Sequence, residues 1–376
     1  MKDGNSTLSP DKIERLLRKD CSGCGCCAQK CPAGCIAMKP NAEGFLYPRV
    51  EKAKCRLCRA CVVGCPCLQK RSAAKPISAF ALMSTNEKVR RQSSSGGICA
   101  LLSRAAVRRG GVAFGAAFDD KLKLRHTAVD SLAAISTLQG SKYVQSDVGD
   151  TFIQARSLLR EGRRVLYTGL PCQIAGLKSF LGGATFPGEL LCVDLICHGV
   201  PSPRVLAKYI KEQERLYGAP IANISFRDKS ESWKHYFTRM DINSKPARSE
   251  ILRKNIYVRG FHSNLYLREC CHQCKFKGYR SGSDLLTGDF WNVREFTPDL
   301  DDDKGINIVI ALTQRGLRGL LELHENIDGR IVHKGKIPWN YVINTSAVAH
   351  PNRAEFFREL PSASSVSALI ERMLRK

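Results

Sequence analysis

The sequence has no apolar run approaching the ~18 residues that a membrane-crossing helix needs. Even VAFGAAF, at 112–118, is far shorter. The opening stretch, MKDGNSTLSPDKIERLLRKD, lacks the basic start, apolar core and cleavage site of a secretory leader. Neither a membrane span nor export is expected, and the expected location is the cytoplasm. Carboxylates are scarce: 35 Asp and Glu stand against 59 Lys and Arg, a formal charge of +24. The imbalance already holds in residues 1–75, with 15 basic residues against 6 acidic ones. Such a balance would suit nucleic acid. The basic residues are spread along the whole chain, however, and no nucleic-acid recognition motif is visible. Docking of an acidic protein electron carrier or partner subunit is the better-supported expectation, because complementary charge raises the encounter rate.

What the chain has in quantity is cysteine, 18 in 376 residues. That is too long a chain for a small secreted disulfide scaffold, and a reducing compartment suits so many thiols. The run Cys21-x-x-Cys24-x-x-Cys27-x-x-x-Cys31-Pro32 recurs as Cys55-x-x-Cys58-x-x-Cys61-x-x-x-Cys65-Pro66, an internal duplication. This is the bacterial two-cluster ferredoxin spacing, in which three close thiolates hold one cubane and the fourth reaches to the other. Cys21, Cys24 and Cys27 are then expected to share a [4Fe-4S] cluster with Cys65, and Cys55, Cys58 and Cys61 to share one with Cys31. A zinc site would present two separated Cys-x-x-Cys hooks, not two complete runs each ending in Cys-Pro. Bound clusters carry negative charge and lower the true net charge. Cys26, Cys35 and Cys67 fall outside the pattern and receive no role.

The chain reads as α+β: a ferredoxin-like domain over 1–72, then a mixed α/β domain. Residues 5–19 read as a capped amphipathic helix, 44–50 (GFLYPRV) as a strand over the clusters, and 69–76 (QKRSAAKP) as a linker. Ser93-Ser94-Ser95-Gly96-Gly97 precedes the helical run ICALLSRAAVRRG, and small residues at a helix start are either an ordinary cap or an anion site. VAFGAAFDD and HTAV read as paired strands. From residue 140 strands and helices alternate: RVLYT runs into Gly169-Leu170-Pro171-Cys172-Gln173 and a helix, and LLCVDLI runs into Cys197-His198-Gly199-Val200-Pro201-Ser202 and a long helix. This implies a parallel sheet with its functional loops at the strands' carboxyl ends. Cys172 and Cys197 sit on two such loops. After Gly218 the pattern turns β-like, INIVIAL reads as a strand and RGLRGLLELHENI as a helix. Cys99 and Cys192 fall inside elements and are expected in the core.

Cys271-x-x-Cys274 is half a metal hook. With Cys172 and Cys197 it supplies four thiolates on loops that could meet at one sheet edge, as a third cubane or, separately, as buried thiols and half a zinc knuckle. Cys270 competes with Cys271.

Several stretches resemble the coenzyme F420 hydrogenase/dehydrogenase β-subunit family, which includes F420-dependent formate dehydrogenase β subunits and a hydroxymethyl-chlorophyll reductase. They are Arg91 with Ser93–Gly97, Lys142–Ser146, Gly169-x-Pro171-Cys172-Gln173, Cys197–Ser202, Phe226–Lys229, Cys271-x-x-Cys274, and Ser283-Asp284 with Gly288–Trp291, in the family's order from about 79 to 350. The GLPCQ loop has Leu170 where the family commonly has Thr. The resemblance implies a family N-terminal region over 77–160, a C-terminal region over 161–345 and a helical tail over 346–376. It also implies FAD, a third [4Fe-4S] cluster on Cys172, Cys197, Cys271 and Cys274, and electron transfer between a hydride-type substrate (coenzyme F420 or another small molecule) and one-electron carriers. A non-catalytic relay subunit is the alternative. On this reading the flavin contacts are Arg91, Ser94, Ser95, Gly96, Gly97, Lys142, Tyr143, Gln145, Ser146, Gly169 and Gln173, and proton handling falls to His198, Lys229 and Asp289.

Overall fold

The computed structural model describes residues 13, 14, 19–242, 245–332 and 341–376. The helix expected over 5–19 therefore lies outside the described residues, except at Ile13, Glu14 and Lys19. The strands are β1 (Ile36–Pro40), β2 (Leu46–Val50), β3 (Ser78–Ser84), β4 (Val112–Phe118), β5 (Leu124–Val129), β6 (Val165–Gly169), β7 (Leu190–Leu195), β8 (Ile221–Asp228), β9 (Phe237–Ile242), β10 (Lys245–Ile251), β11 (Leu285–Asp289), β12 (Asn307–Ala311) and β13 (Ile327–Val332).

Eight of them form one sheet in the order β13-β3-β12-β11-β7-β6-β4-β5. The central β4, β6, β7 and β11 are mutually parallel, and the flanking strands are antiparallel. The expected parallel sheet is thus the middle of a larger mixed one. Alternate residues of β4 and β6 enter different cores. Val112, Phe114, Val165 and Tyr167 meet Phe152, Ile174 and Phe180 of the helices Thr151–Arg160 and Pro171–Leu181 on one face. Ala113 and Leu166 meet Leu101 and Leu102 of the helix Ile98–Arg108 on the other. Strands covered on both faces carry near-continuous apolar runs, which is why RVLYT and LLCVDLI stand out in the sequence. The boundary expected at 160/161 falls inside this sheet, between the helix Thr151–Arg160 and β6.

The two loops that follow β6 and β7 are ended by well-capped helices. At Pro171–Leu181 the Gln173 Oε1 accepts from Leu170 N at 2.9 Å and Pro171 opens the first turn. At Pro203–Tyr217 the Ser202 Oγ accepts from the amides of Arg204 and Val205. A second, antiparallel sheet in the order β10-β9-β8 packs beside that helix. The tail joins this core. Val366, Leu369, Ile370 and Met373 are buried among Leu206, Tyr209, Tyr257 and Val258.

The N-terminal lobe carries the duplication in its backbone. The short helices Cys26–Lys30 and Ala60–Val63 begin 34 residues apart, with the hairpin β1–β2 between them. Gly23 and Gly25, on either side of Cys24, have φ of 69° and 71°, and their counterparts Leu57 and Arg59, on either side of Cys58, have φ of 54° and 63°. All four residues are left-handed. Glycine takes this conformation freely, whereas Leu57 and Arg59 bear on the order of 1 kcal/mol of strain each. In the first run glycine is also required by space. A Cβ on Gly23 would sit 2.8 Å from Arg268 Nη1, and one on Gly25 2.7 Å from Val148 Cγ2.

The lobe is fastened to the body rather than tethered. The buried Arg268 donates to Cys21 O at 2.6 Å, Leu46 O at 2.8 Å and Gln145 Oε1 at 3.0 Å, with its guanidinium 4.3 Å from the Tyr47 ring centre. Arg353 pairs with Glu43 at 2.7 Å, and Lys30 donates to Ser179 O at 2.9 Å. The stretch expected as a linker is pinned too, by Arg71 on the carbonyls of Arg280 and Ser281 and by Ala74 N on Tyr279 O.

Arg268→Ala leaves three buried acceptors without their donor. It should destabilise the protein by about 3 kcal/mol or more, read as a lower melting temperature, and should open 69–76 to limited proteolysis. Arg268→Lys should recover less than half of the loss, because one ammonium cannot span acceptors on three separate segments.

Candidate functional site

The topology places the loops after β6 and β7 side by side, since Gly169 pairs with Asp194 across the parallel ladder. Cys172 and Cys197 are thereby neighbours, and the single-turn helix Glu269–Gln273 brings Cys271 and Cys274 to them. All four thiols line one small cavity, with Cys270, Lys277 and the Leu195–Val200 segment in its wall. Burial raises the Cys172 thiol well above its ordinary range, and Cys197, Cys274 and Cys271 beside it add to the rise. Cys197 is pushed up to about 12, again chiefly by burial. Cys271 lies near Cys172, Cys197 and Cys274, and Cys270, with which it shares a hydrogen bond, also lies near Cys172. Four packed thiolates need a compensating positive centre, so the donor set fits a cubane. Among the described residues no three His, Cys, Asp or Glu side chains converge tightly enough for a single ion. A cubane spreads its ligands over four iron corners, so this spacing accords with it.

In the N-terminal lobe the thiols fall into two groups. Cys21, Cys24 and Cys27 lie with Cys65 and Cys67, and Cys24 is the first-run thiol next to Cys65. Cys55 and Cys61 lie with Cys31 and Cys35, whose sulfurs are 3.4 Å apart. The fourth cysteine of each run therefore sits with the opposite run, and Cys58 is exposed. The first group faces the body. Gly176, in the helix begun by Pro171, has room for no Cβ, which would come 3.0 Å from Cys24 Cβ and 3.1 Å from its Sγ. Cys67 lies near enough to Cys172 to raise its thiol and is bonded to Ser22 at 3.4 Å.

On the other side of Leu195–Val200 opens a cleft of about 1010 Å³ at the carboxyl ends of the parallel strands. This is the upper end of the size usual for ligand sites. Ser94, Ser95, Gly97, Lys142, Tyr143, Ser146, Gly169, Gln173, His198 and Asp289 all line it. Beneath them Ser146 Oγ bonds His126 Nδ1 and accepts from Gln173 Nε2, both at 2.9 Å, tying the two loops together. Burial lowers His126 to about 4, so its ring is neutral there. The half-buried Lys142 donates to Gln139 O at 2.7 Å and is lowered to about 7 by desolvation within the cleft. The start of the helix Ile98–Arg108 also faces the cleft, adding its dipole.

Four expected contacts lie elsewhere. Arg91 is exposed outside the cleft wall. Gly96 serves packing, because a Cβ would come 2.4 Å from Leu82 O and 2.8 Å from Asn307 N. Gln145 turns to the lobe and donates to Ser22 O at 2.8 Å. Lys229 is buried behind the serine loop, where its ammonium donates to Ser95 O at 2.6 Å and Lys304 O at 2.5 Å. Burial lowers it to about 7. Asp289 is held in a two-point pair by Arg227, at 2.8 and 3.1 Å, and accepts from Trp233 Nε1. His198 lines both cavity and cleft, bonds Asn264 Oδ1 at 2.6 Å and is lowered by burial. Cys192 is fully buried, but Cys99 is half-buried in the cleft wall. Sequence patterns gave no role to Arg227, Tyr236 or Trp291. The Arg227 guanidinium lies 3.8 Å from the Tyr236 ring, and Trp291 stacks on Trp233 at 4.7 Å in the mouth of the cleft. Cation–aromatic pairing across a strand connection has no sequence period to reveal it.

Residues 162–332 match the family model for the C terminus of the coenzyme F420 hydrogenase/dehydrogenase beta subunit. Curated proteins give no match. Among 13 matching chains of solved structures is one from a xenon-derivatised F420-reducing [NiFe] hydrogenase complex of Methanosarcina barkeri. It is 14% identical, with 82% of this chain and 94% of that chain covered and a TM-score of 0.47. Among the described residues no helix is long and apolar enough to cross a membrane.

The Gly176–Cys24 contact can be tested alone. Gly176→Leu forces a side chain against Cys24, and the purified variant should melt below the parent, with its far-ultraviolet dichroism retained.

Proposed function

Since residues 162–332 match the coenzyme F420 hydrogenase/dehydrogenase β-subunit family, we propose that the chain is an iron–sulfur flavoprotein oxidoreductase. It passes electrons between a hydride-type substrate, coenzyme F420 or another small molecule, at FAD in the cleft and one-electron carriers reached through [4Fe-4S] clusters. One observation carries this reading: Leu195–Val200 is the common wall of the cleft and of the four-cysteine cavity. Cofactors on its two sides would be one loop apart. FAD, when bound, exchanges a hydride with a substrate and single electrons with a cluster.

The chain's own residues do the rest. Cys172, Cys197, Cys271 and Cys274 hold one cubane; Cys21, Cys24, Cys27 and Cys65 hold a second; Cys55, Cys58, Cys61 and Cys31 hold a third. Lys142 and the helix start after Gly97 face an anionic pyrophosphate. Trp291 and Tyr236 offer a flat surface to a planar ring. The Lys277 ammonium donates to the carbonyls of Cys197 and Val342 and places a positive charge beside the thiolates. Lys229 and Asp289 act as positioning residues, one under the serine loop and the other against Arg227. Their full engagement favours, as the second reading, a relay subunit that does no hydride chemistry. His198 is the titratable group left on the shared wall.

Anaerobically reconstituted protein should contain about 12 irons per chain, and each of Cys172→Ser and Cys197→Ser about 8. About 8 in the parent would remove the third cluster. Turnover of reduced F420 with a viologen acceptor would exclude the relay reading, because only a catalyst turns over; no turnover would leave the substrate open without excluding an enzyme.

Affinity for FAD, followed by fluorescence quenching, should weaken as pH rises from 6 through 8. A lysine lowered to about 7 carries its charge below that pH and loses it above. Lys142→Met should bind more weakly at pH 6 and lose this dependence. An unchanged pH profile in the variant would exclude Lys142 from the anion site.

A further inference from the structure

The second run of the lobe differs from the first in what surrounds it. Between Gly44 and Asn86 the only carboxylate is Glu51, which pairs with Lys54 at 2.9 Å. Lys52, Arg56, Arg59 and Lys70 are exposed and make no ion pair with the described residues. They lie within twelve residues of Cys58, the exposed thiol of the run, on a stretch that also carries the exposed apolar side chains of Leu57, Val63 and Leu68. Val63 is 67% exposed. Leu57 and Arg59 also hold left-handed backbone where the first run has glycine. Packing does not explain them, since both side chains face solvent. Non-glycine residues kept in strained conformations concentrate at functional sites.

We propose that this face is the docking site of an acidic one-electron carrier protein. The apolar residues form its dry centre, the basic ring its rim, and Cys58 is the point of closest approach to the second-run cluster. The proposal rests on the iron–sulfur reading above and adds the entry point and the partner's charge. Each encounter moves one electron and no proton: the carrier is oxidised by one electron and the chain's cluster reduced by one, or the reverse. A two-electron substrate requires two encounters. The basic ring and the apolar centre favour an acidic protein with an apolar patch over nucleic acid, which would meet no aromatic platform here.

The test uses the full, iron-loaded chain and a reduced acidic plant-type [2Fe-2S] ferredoxin, with reduced methyl viologen as a small cationic donor. Two quantities are read: the dissociation constant by interferometry, and the second-order rate of cluster bleaching by stopped flow. Raising salt from about 0.05 to about 0.5 M should weaken binding and slow bleaching by ferredoxin at least tenfold, without slowing bleaching by viologen. The triple variant K52E/R56E/K70E should lower the ferredoxin-to-viologen rate ratio about tenfold. Leu57→Gly and Arg59→Gly should melt at or above the parent's temperature and still bind ferredoxin more weakly. A ratio unmoved by the triple variant overturns the proposal, as does binding of a duplex oligonucleotide in place of the ferredoxin. Bleaching does not pass through the flavin, so a chain that bleaches normally but binds no FAD defeats the flavin reading alone. An iron-free chain defeats both.

Discussion

The structure depends on how the Arg268 guanidinium is buried. A charge taken out of water is tolerated only when its hydrogen bonds are met, and Arg268 meets them on the lobe and the body together: Cys21 O, Leu46 O and Gln145 Oε1. The same side chain occupies the space that a Cβ on Gly23 would need, so the first cysteine loop closes directly over it. The first-run thiols thereby face the β6 helix, and through Cys67 they approach Cys172. Were the lobe merely tethered by 69–76, the thiol groups would hold no constant separation.

From that fixed lobe the arrangement runs inward in one direction: Cys58 at the surface, the two crossed groups, the four-cysteine cavity, the Leu195–Val200 wall and the cleft. Each step is set by a different kind of contact. Left-handed residues shape the cysteine loops, an absent Cβ at Gly176 lets Cys24 approach, the parallel ladder aligns Cys172 with Cys197, and a helix start and Lys142 line the cleft. Two buried arginines of the body are paired with carboxylates, Arg227 with Asp289 and Arg353 with Glu43.

Much of this was readable before any coordinates. The strands β4, β6, β7 and β12 announced themselves as apolar runs because both their faces are covered. The two cysteine runs were equally plain, because the loop that wraps such a group is local and its spacing is written in consecutive residues. Less visible were positions whose role is set by a distant neighbour. Gly96 read as a ligand contact, yet it exists to let β3 and β12 pack against the loop. Lys229 and Asp289 read as proton carriers, yet one is fastened to two carbonyls and the other to Arg227. Gln145 looked like part of the cleft and turned to the lobe.

The sequence by itself determined the cysteine spacing, the alternation of strand and helix that puts Cys172 and Cys197 at adjacent strand ends, and the basic excess, because each depends on residues near one another along the chain. Only the tertiary structure decided that Arg268 fastens the lobe to the body and which side chains Arg227 and Trp291 meet. Those outcomes depend on burial and on contacts between segments that are separate along the chain. Hydrophobic packing and desolvation set them, and neither leaves a period in the sequence.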